Sequence, residues 1–279
     1  MKEVLVVANR TLAGAKLLQT VRERAAAEEL RVRLIVPATN PSAGLVIYDE
    51  TVRESAQVRV DLALLALAQE GIAATGEVGD SDAFLATMDA IATRRPDEVI
   101  VSTYPVASSG WLRRDLIERI RSASGLPVEH IVTDLEGEPS SYTSTLVLAS
   151  QTLRGEQLLE RLQAKAAQEG PHLFIIVVPQ EDGSGDAPRR ARARLADVLD
   201  RVHAAGLLAS GMVGDPDPYT AAVNALELFS VDDVLISTLP DERSGWLRAH
   251  LIERVRGVSP VPVEHIVIDV APAPAGARA

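Results

Sequence analysis

The chain contains two copies of one sequence pattern. The segment Ser-Gly-Trp-Leu-Arg begins at Ser109 and returns at Ser244, 135 positions later, and Val-Glu-His-Ile-Val begins at Val128 and returns at Val263. A period this long indicates two copies of a whole domain rather than an array of short repeats. A length of 279 residues is also typical of two domains, each large enough to bury its own core.

The repeat and the local composition divide the chain into segments. The segment between the copies is polar and contains Gly137 and Pro139, and the last residues are rich in Ala, Pro and Gly, as in a disordered tail. We therefore predict a first copy over residues 1–134, a linker over 135–144, a second copy over 145–270 and a disordered tail over 271–279.

Within each copy, short apolar runs alternate with segments of helical spacing. Residues 4–8 form a continuous apolar run, as in a strand buried on both faces, whereas Val52, Ala56 and Val60 recur at helical spacing. Strand–helix units with such strands indicate a parallel sheet covered by helices on both faces. We therefore predict an α/β protein with two tandem, doubly wound, five-stranded parallel sheets rather than one eight-unit barrel.

Each copy resembles a universal stress protein (UspA-like) domain, and the resemblance covers nearly the whole chain twice. It rests on the opening strand and its turn, Val-Gly-Asp from Val78, Asp-Glu-Val-Ile-Val-Ser-Thr from Asp97, and the helix with Glu118 before Gly-Leu-Pro-Val. It implies a UspA-like, adenine-nucleotide-hydrolase-like sheet with strand order 3-2-1-4-5. It also implies dimerisation through the last strands, which would protect two exposed sheet edges.

The two copies can form that dimer within one chain. We expect an intramolecular pseudo-dimer in which Val128–Val132 pairs with Val263–Val267 about a pseudo-twofold axis. The sequence leaves open whether two chains also form a homodimer.

The expected strand order places one cleft in each copy, between strands 1 and 4, where ligands bind open α/β sheets. A helix N-terminus with an arginine one turn later can bind an anion there, and alternatively the serine hydroxyls only cap the helix. The candidate cofactor-binding residues are Asn9, Thr11, Ser102, Thr103, Ser109, Gly110 and Arg113 in the first copy and Ser150, Thr152, Ser237, Thr238, Ser244, Gly245 and Arg248 in the second.

The resemblance implies ATP as a ligand, because many members of the family bind ATP through a loop of the form Gly-x2-Gly-x9-Gly-Ser/Thr. In this sequence Ser102 and Ser237 replace the first glycine, and Asn9 and Ser150 stand where the family has an aspartate. A side chain in place of glycine obstructs the approach of backbone amides to a phosphate. The sequence therefore establishes no cofactor and leaves ATP or another phosphate compound as one alternative.

Composition argues against several classes of function. Lys and Arg number 28 against 39 Asp and Glu, a net charge of −11 that disfavours nucleic acid and anionic membrane surfaces as partners. The chain has no cysteine, and its five histidines lack the spacing of a metal site. No apolar run is long enough to span a membrane and no signal peptide is recognisable, so we expect a cytoplasmic protein.

These patterns favour a binding or regulatory protein without a catalytic constellation. The resemblance implies a role in the stress response for a tandem universal-stress-protein-like chain. Two alternatives stay open: a protein that binds ATP or another phosphate ligand between strands 1 and 4, and an interaction scaffold whose clefts are vestigial.

Overall fold

A computed structural model of the chain contains two parallel β-sheets of five strands each. It describes residues 1–11, 14–40, 47–105, 115–133, 141–180, 185–240 and 244–269. The predicted linker and tail fall largely outside these ranges, so the division into domains stays a prediction.

The first sheet is built from regularly alternating strands and helices. In chain order these are β1 (Lys2–Val7), α1 (Ala15–Ala27), β2 (Leu30–Pro37), α2 (Asp49–Gln69), β3 (Ala74–Gly79), α3 (Ala83–Thr93), β4 (Glu98–Thr103), α4 (Leu116–Ser124) and β5 (Val128–Val132).

The second sheet repeats the alternation, with a 3-10 turn at Gln151–Arg154 after its first strand. Its elements are β6 (Thr143–Leu148), α5 (Glu156–Glu169), β7 (His172–Pro179), α6 (Ala187–Ala204), β8 (Leu208–Gly214), α7 (Pro218–Leu228), β9 (Asp233–Thr238), α8 (Gly245–Arg248), α9 (Leu251–Arg256) and β10 (Val263–Val267).

The predicted strand order is confirmed in both sheets. The orders are β3-β2-β1-β4-β5 and β8-β7-β6-β9-β10, and neighbouring strands in both sheets are parallel. The register is repeated as well: Val6 lies between strand partners Leu34 and Ile100, and Val147, its counterpart, lies beside Ile176 on β7. The near-continuous apolar strands follow from this topology, because helices cover both faces of each sheet.

Helix α2 joins the two sheets. It is buried almost all round, with Val60 packed towards β3 of its own sheet and Leu62 lining the boundary with Leu173 and Ile175 of the second sheet. A helix that is apolar on two faces must be covered on both. One continuous apolar core, with α2 at its centre, therefore runs from the first sheet to the second.

Polar contacts fix the position of α2 against the second sheet. The Ser210 hydroxyl of β8 donates to Asp61 Oδ2 at 2.9 Å, and Met212, two residues along β8, is buried in the shared core. At the start of α2, Arg192 of α6 bridges Glu50 and Glu54 at 2.8 and 3.0 Å.

The expected pairing of the last strands is wrong within this chain. In the described ranges β5 pairs only with β4, and β10 pairs only with β9. Each edge strand carries a charge at its centre, and these charges are neutralised locally by ion pairs of Glu129 with Arg24 and of Glu264 with Arg161. Charged edges disfavour strand addition, whereas packing α2 against the second sheet buries extensive apolar surface. The packing of this helix therefore determines how the two copies join. A homodimer of chains stays a prediction.

Within the described ranges, no helix combines the length and the hydropathy needed to cross a lipid bilayer.

Truncating α2 at the boundary between the sheets is expected to destabilise the chain. Leu62 is 6% exposed, so Leu62→Ala should lower the free energy of unfolding by about 2–5 kcal/mol through lost burial and a residual cavity. Leu85→Ala, at a position that is 50% exposed, is the matched control and should change it by less than about 1 kcal/mol. Urea denaturation measures both, and equal losses would contradict the packing described for α2.

Candidate functional site

A cavity of about 360 Å³ opens at the carboxyl ends of β6 and β9, where the strand order of the second sheet reverses. We call it the second-copy cleft. Its lining residues come from the turn after β6, the ends of β7 and β9, the loop after β8 and the start of α8: Ser150, Gln151, Thr152, Gln180, Pro216, Ser237, Thr238, Leu239, Ser244, Gly245 and Trp246.

All candidate residues of the second copy except Arg248 line this cleft. The side chain of Arg248 lies outside the described part of the structure. Gln180 and Pro216 line the cleft as well, and sequence reasoning missed both. Both follow the ends of neighbouring strands, so the carboxyl-edge rule that selected the other residues also applies to them.

Three hydroxyls around the cleft already bond to protein groups. Thr152 Oγ1 donates to the Ser237 carbonyl at 3.3 Å, and Thr238 Oγ1 lies 2.8 Å from His265 Nε2. Ser244 Oγ accepts the Leu247 N–H at 3.2 Å, which is the capping role that the sequence offered as an alternative. These side chains shape the cleft, and each hydroxyl keeps part of its hydrogen-bonding capacity for a ligand.

Ser237 differs from them. Its hydroxyl is buried and has no hydrogen-bond partner among the described residues, although it borders the cavity. In the first copy the equivalent Ser102 hydroxyl lies 3.2 Å from Thr133 Oγ1. The position equivalent to Thr133 is Ile268 in the second copy, so Ser237 loses that partner. A buried hydroxyl without a partner is costly, and a bound molecule can supply the missing bond.

The described candidates of the first copy mainly bond to one another. Thr11 Oγ1 donates to the Ser102 carbonyl at 3.2 Å, and Thr103 Oγ1 lies 2.9 Å from His130 Nε2. Asn9 instead lines a separate, smaller cavity between the two copies. The remaining candidates of this copy, Ser109, Gly110 and Arg113, lie outside the described residues.

His130 is the titratable group closest to these first-copy contacts. Burial, with a smaller effect of the Lys16 cation, lowers the pKa of His130 below its ordinary value of 6.5. The ring is therefore neutral at pH 7. Among the described side chains, no group of three or more His, Asp or Glu is arranged to hold a metal ion.

Comparisons with known proteins leave the family open. No protein-family model matches the chain. Over 209 residues, 68% of the chain, the sequence is 27% identical to the ribosomal protein uS12 methylthiotransferase RimO of Streptomyces avermitilis. That match covers 42% of the methylthiotransferase, so the chain spans less than half the length of this curated relative.

Similar solved structures include universal stress proteins. One, from Archaeoglobus fulgidus, matches 95% of this chain and 96% of its own with a TM-score of 0.37 and 15% identity. Another, from Arabidopsis thaliana and with AMP bound, matches 50% of this chain and 97% of its own with a TM-score of 0.34 and 13% identity. At these scores the fold assignment rests on the strand order of the chain itself.

The two equivalent serines give a matched test of the described hydrogen bonding. Ser102→Ala should lower the free energy of unfolding by about 1 kcal/mol, because it removes a buried bond to Thr133. Ser237→Ala should raise it by up to about 1 kcal/mol, because it removes a buried hydroxyl that has no partner among the described residues. Equal losses in urea denaturation would show that Ser237 is bonded within the protein.

His130 should lower the free energy of unfolding as the pH falls. Because its pKa is lowered in the folded protein, the unfolded chain binds the proton first as the pH falls below 6.5, and stability is lost. We expect the unsubstituted chain to lose more unfolding free energy than His130→Asn between about pH 7.5 and about pH 5.5. The same loss in both proteins would contradict the lowered pKa.

Proposed function

We propose that the protein binds a small polar molecule in the second-copy cleft. The observation that carries this proposal is the buried, unpartnered hydroxyl of Ser237 at the wall of a cavity of about 360 Å³. That volume lies in the lower part of the range found for small-molecule sites. The position at the reversal of strand order supports the proposal, because ligands of open α/β sheets bind there.

The lining residues favour a ring-containing ligand with hydroxyl groups. Ser150, Gln151 and Gln180 offer neutral hydrogen-bonding groups, whereas Leu239 and Trp246 offer apolar surface on which a ring can pack. A nucleoside, or the nucleoside part of a nucleotide, has this combination. We therefore propose a nucleoside or nucleotide as the ligand, in line with the ATP binding implied by the sequence resemblance.

We further propose that the ligand is bound rather than transformed. A serine nucleophile needs a base within hydrogen-bonding distance, and the Ser237 hydroxyl has no such neighbour among the described residues. The role that we favour is regulatory, in the cytoplasm and under stress, as the sequence resemblance implies.

Ligand titration tests the proposal directly. We expect adenosine, AMP or ATP to raise the melting temperature of the full chain, because a ligand that binds only the folded state stabilises it. Calorimetry should show a Kd about threefold to tenfold weaker for Ser237→Ala, which removes one hydrogen bond to the ligand. Ser102→Ala is the matched control and should leave the Kd unchanged.

Two outcomes would overturn the proposal. One is the absence of any shift with all three compounds at millimolar concentration, which would favour the interaction-scaffold alternative. The other is an unchanged Kd in Ser237→Ala, which would place the ligand elsewhere. Turnover of ATP above background by the purified chain would contradict the non-catalytic role.

A further inference from the structure

Arg59 of α2 lies buried between the two copies. It is 7% exposed, and its Nη1 donates to the Leu228 carbonyl at 2.7 Å, while Nη2 lies 3.3 Å from Ser55 Oγ. Its Nε is buried and has no hydrogen-bond partner in the part of the chain that the structure describes. A guanidinium is charged at every physiological pH, so this position holds a buried cation.

In the described ranges, no opposite charge lies beside Arg59. Elsewhere in the chain Arg22 pairs with Glu70 and Arg161 with Glu264, but no carboxylate among the described residues lies within ion-pair distance of Arg59. Burial and the nearby cation of Arg10, in that order, lower the pKa of Arg59 to about 10. A cation that remains charged at pH 7 under these conditions is strongly unfavourable without a counter-charge.

The neighbouring protein groups compensate only part of this charge. Leu228 ends α7, and the carboxyl end of a helix carries roughly half a negative charge. The Phe229 ring lies 5.7 Å from the guanidinium carbon and adds a weak attraction. Arg10 supplies a second cation, and its Nε is likewise buried without a partner. The positive charge of the two arginines therefore exceeds what these groups neutralise.

A cavity of about 60 Å³ lies against both arginines. We call it the interface cavity. Its apolar wall includes Leu62, Leu173, Ile175 and Phe229, and its polar groups come from Asn9, Arg10, Arg59, Tyr142, Ser144 and Ser230. Since one water needs about 10–15 Å³ of such space, it has room for about four to six oxygen-sized atoms. This is the size of a small oxyanion and far too small for a nucleotide.

We propose that the interface cavity binds a small oxyanion, a phosphate or a short carboxylate, between the two copies. Guanidinium groups suit this chemistry, because their N–H groups match the oxygens of phosphate and carboxylate. Arg10 and Arg59 come from the first copy, and the anion would lie against Phe229 and Ser230 of the second. Bound there, it neutralises the buried charge and stabilises the contact between the sheets.

Melting curves of the full chain in sodium phosphate, sodium acetate and sodium chloride at equal ionic strength test this site. We expect phosphate, acetate or both to raise the melting temperature above that in chloride, by on the order of 3–5 °C per tenfold increase above the Kd. A larger response to phosphate identifies phosphate as the preferred anion, and a larger response to acetate identifies a carboxylate. Equal curves in the three salts overturn the proposal.

Variants locate the response. Arg59→Met keeps the length of the side chain without the charge and should abolish the anion-specific shift, whereas Arg53→Met, at an exposed position of the same helix, should retain it. If Arg59→Met does not fold, Arg10→Gln serves instead and should weaken anion binding about tenfold or more. A full response in either Arg59→Met or Arg10→Gln would overturn the assignment.

The same experiment separates this site from the second-copy cleft. Ser237→Ala should retain the complete phosphate or acetate response, because it lies outside the interface cavity. Loss of the response in Ser237→Ala, with Arg59→Met still responding, would place the anion in the second-copy cleft and overturn the interface site while leaving the proposed function intact.

Discussion

The burial of α2 between two sheets determines how this chain is organised. Sheet faces and amphipathic helices must be covered, and a helix with two apolar faces can cover two sheets at once. Val60 packs against the first sheet, and Leu62 lies at the boundary with the second. The carboxylate of Asp61 accepts a hydrogen bond from the second sheet. The two copies thus share one core, and the interface cavity lies inside it.

The two sheets have the same strand order, while the surroundings of equivalent groups differ. The threonine after β1 and its counterpart after β6 make the same contact, since Thr11 and Thr152 each donate to a carbonyl at the neighbouring strand end. One replacement separates the serines: Thr133 of the first copy is Ile268 in the second. The first serine is therefore satisfied by the protein, and its counterpart has an unmet hydrogen-bonding requirement.

The sequence predicts the fold well because local patterns contain most of the required information. Apolar runs mark the buried strands, and Asp82 caps the start of α3 by accepting the N–H groups of Phe84 and Leu85, a role typical of Asp before a helix. The position of Ser237 in a cleft also follows from strand order alone. Strand order does not predict that Ser237 lacks a hydrogen-bond partner, because this depends on which residue of another strand end lies beside it.

The contact between the copies is harder to predict, since it depends on which surface buries more apolar area. The repeated sequences of the last strands suggested that β5 and β10 pair with each other. Glu129 and Glu264 instead form local ion pairs, and the two copies are joined by the packing of α2. Arg59 went unrecognised for a related reason. A single arginine within the apolar sequence around Val58 and Val60 was its only signal, and a helix surface is the usual place for such a residue.

The packing of α2 on β8 uses different faces of the two copies, so it is a head-to-tail contact of the kind that can continue into a filament. The first copy differs at the positions that would receive the next helix. Where β8 buries Ser210 and Met212, the equivalent positions of β3 are Thr75 and Glu77, both exposed. Burying that glutamate costs desolvation free energy, so β3 is a less favourable surface than β8 for the same helix packing.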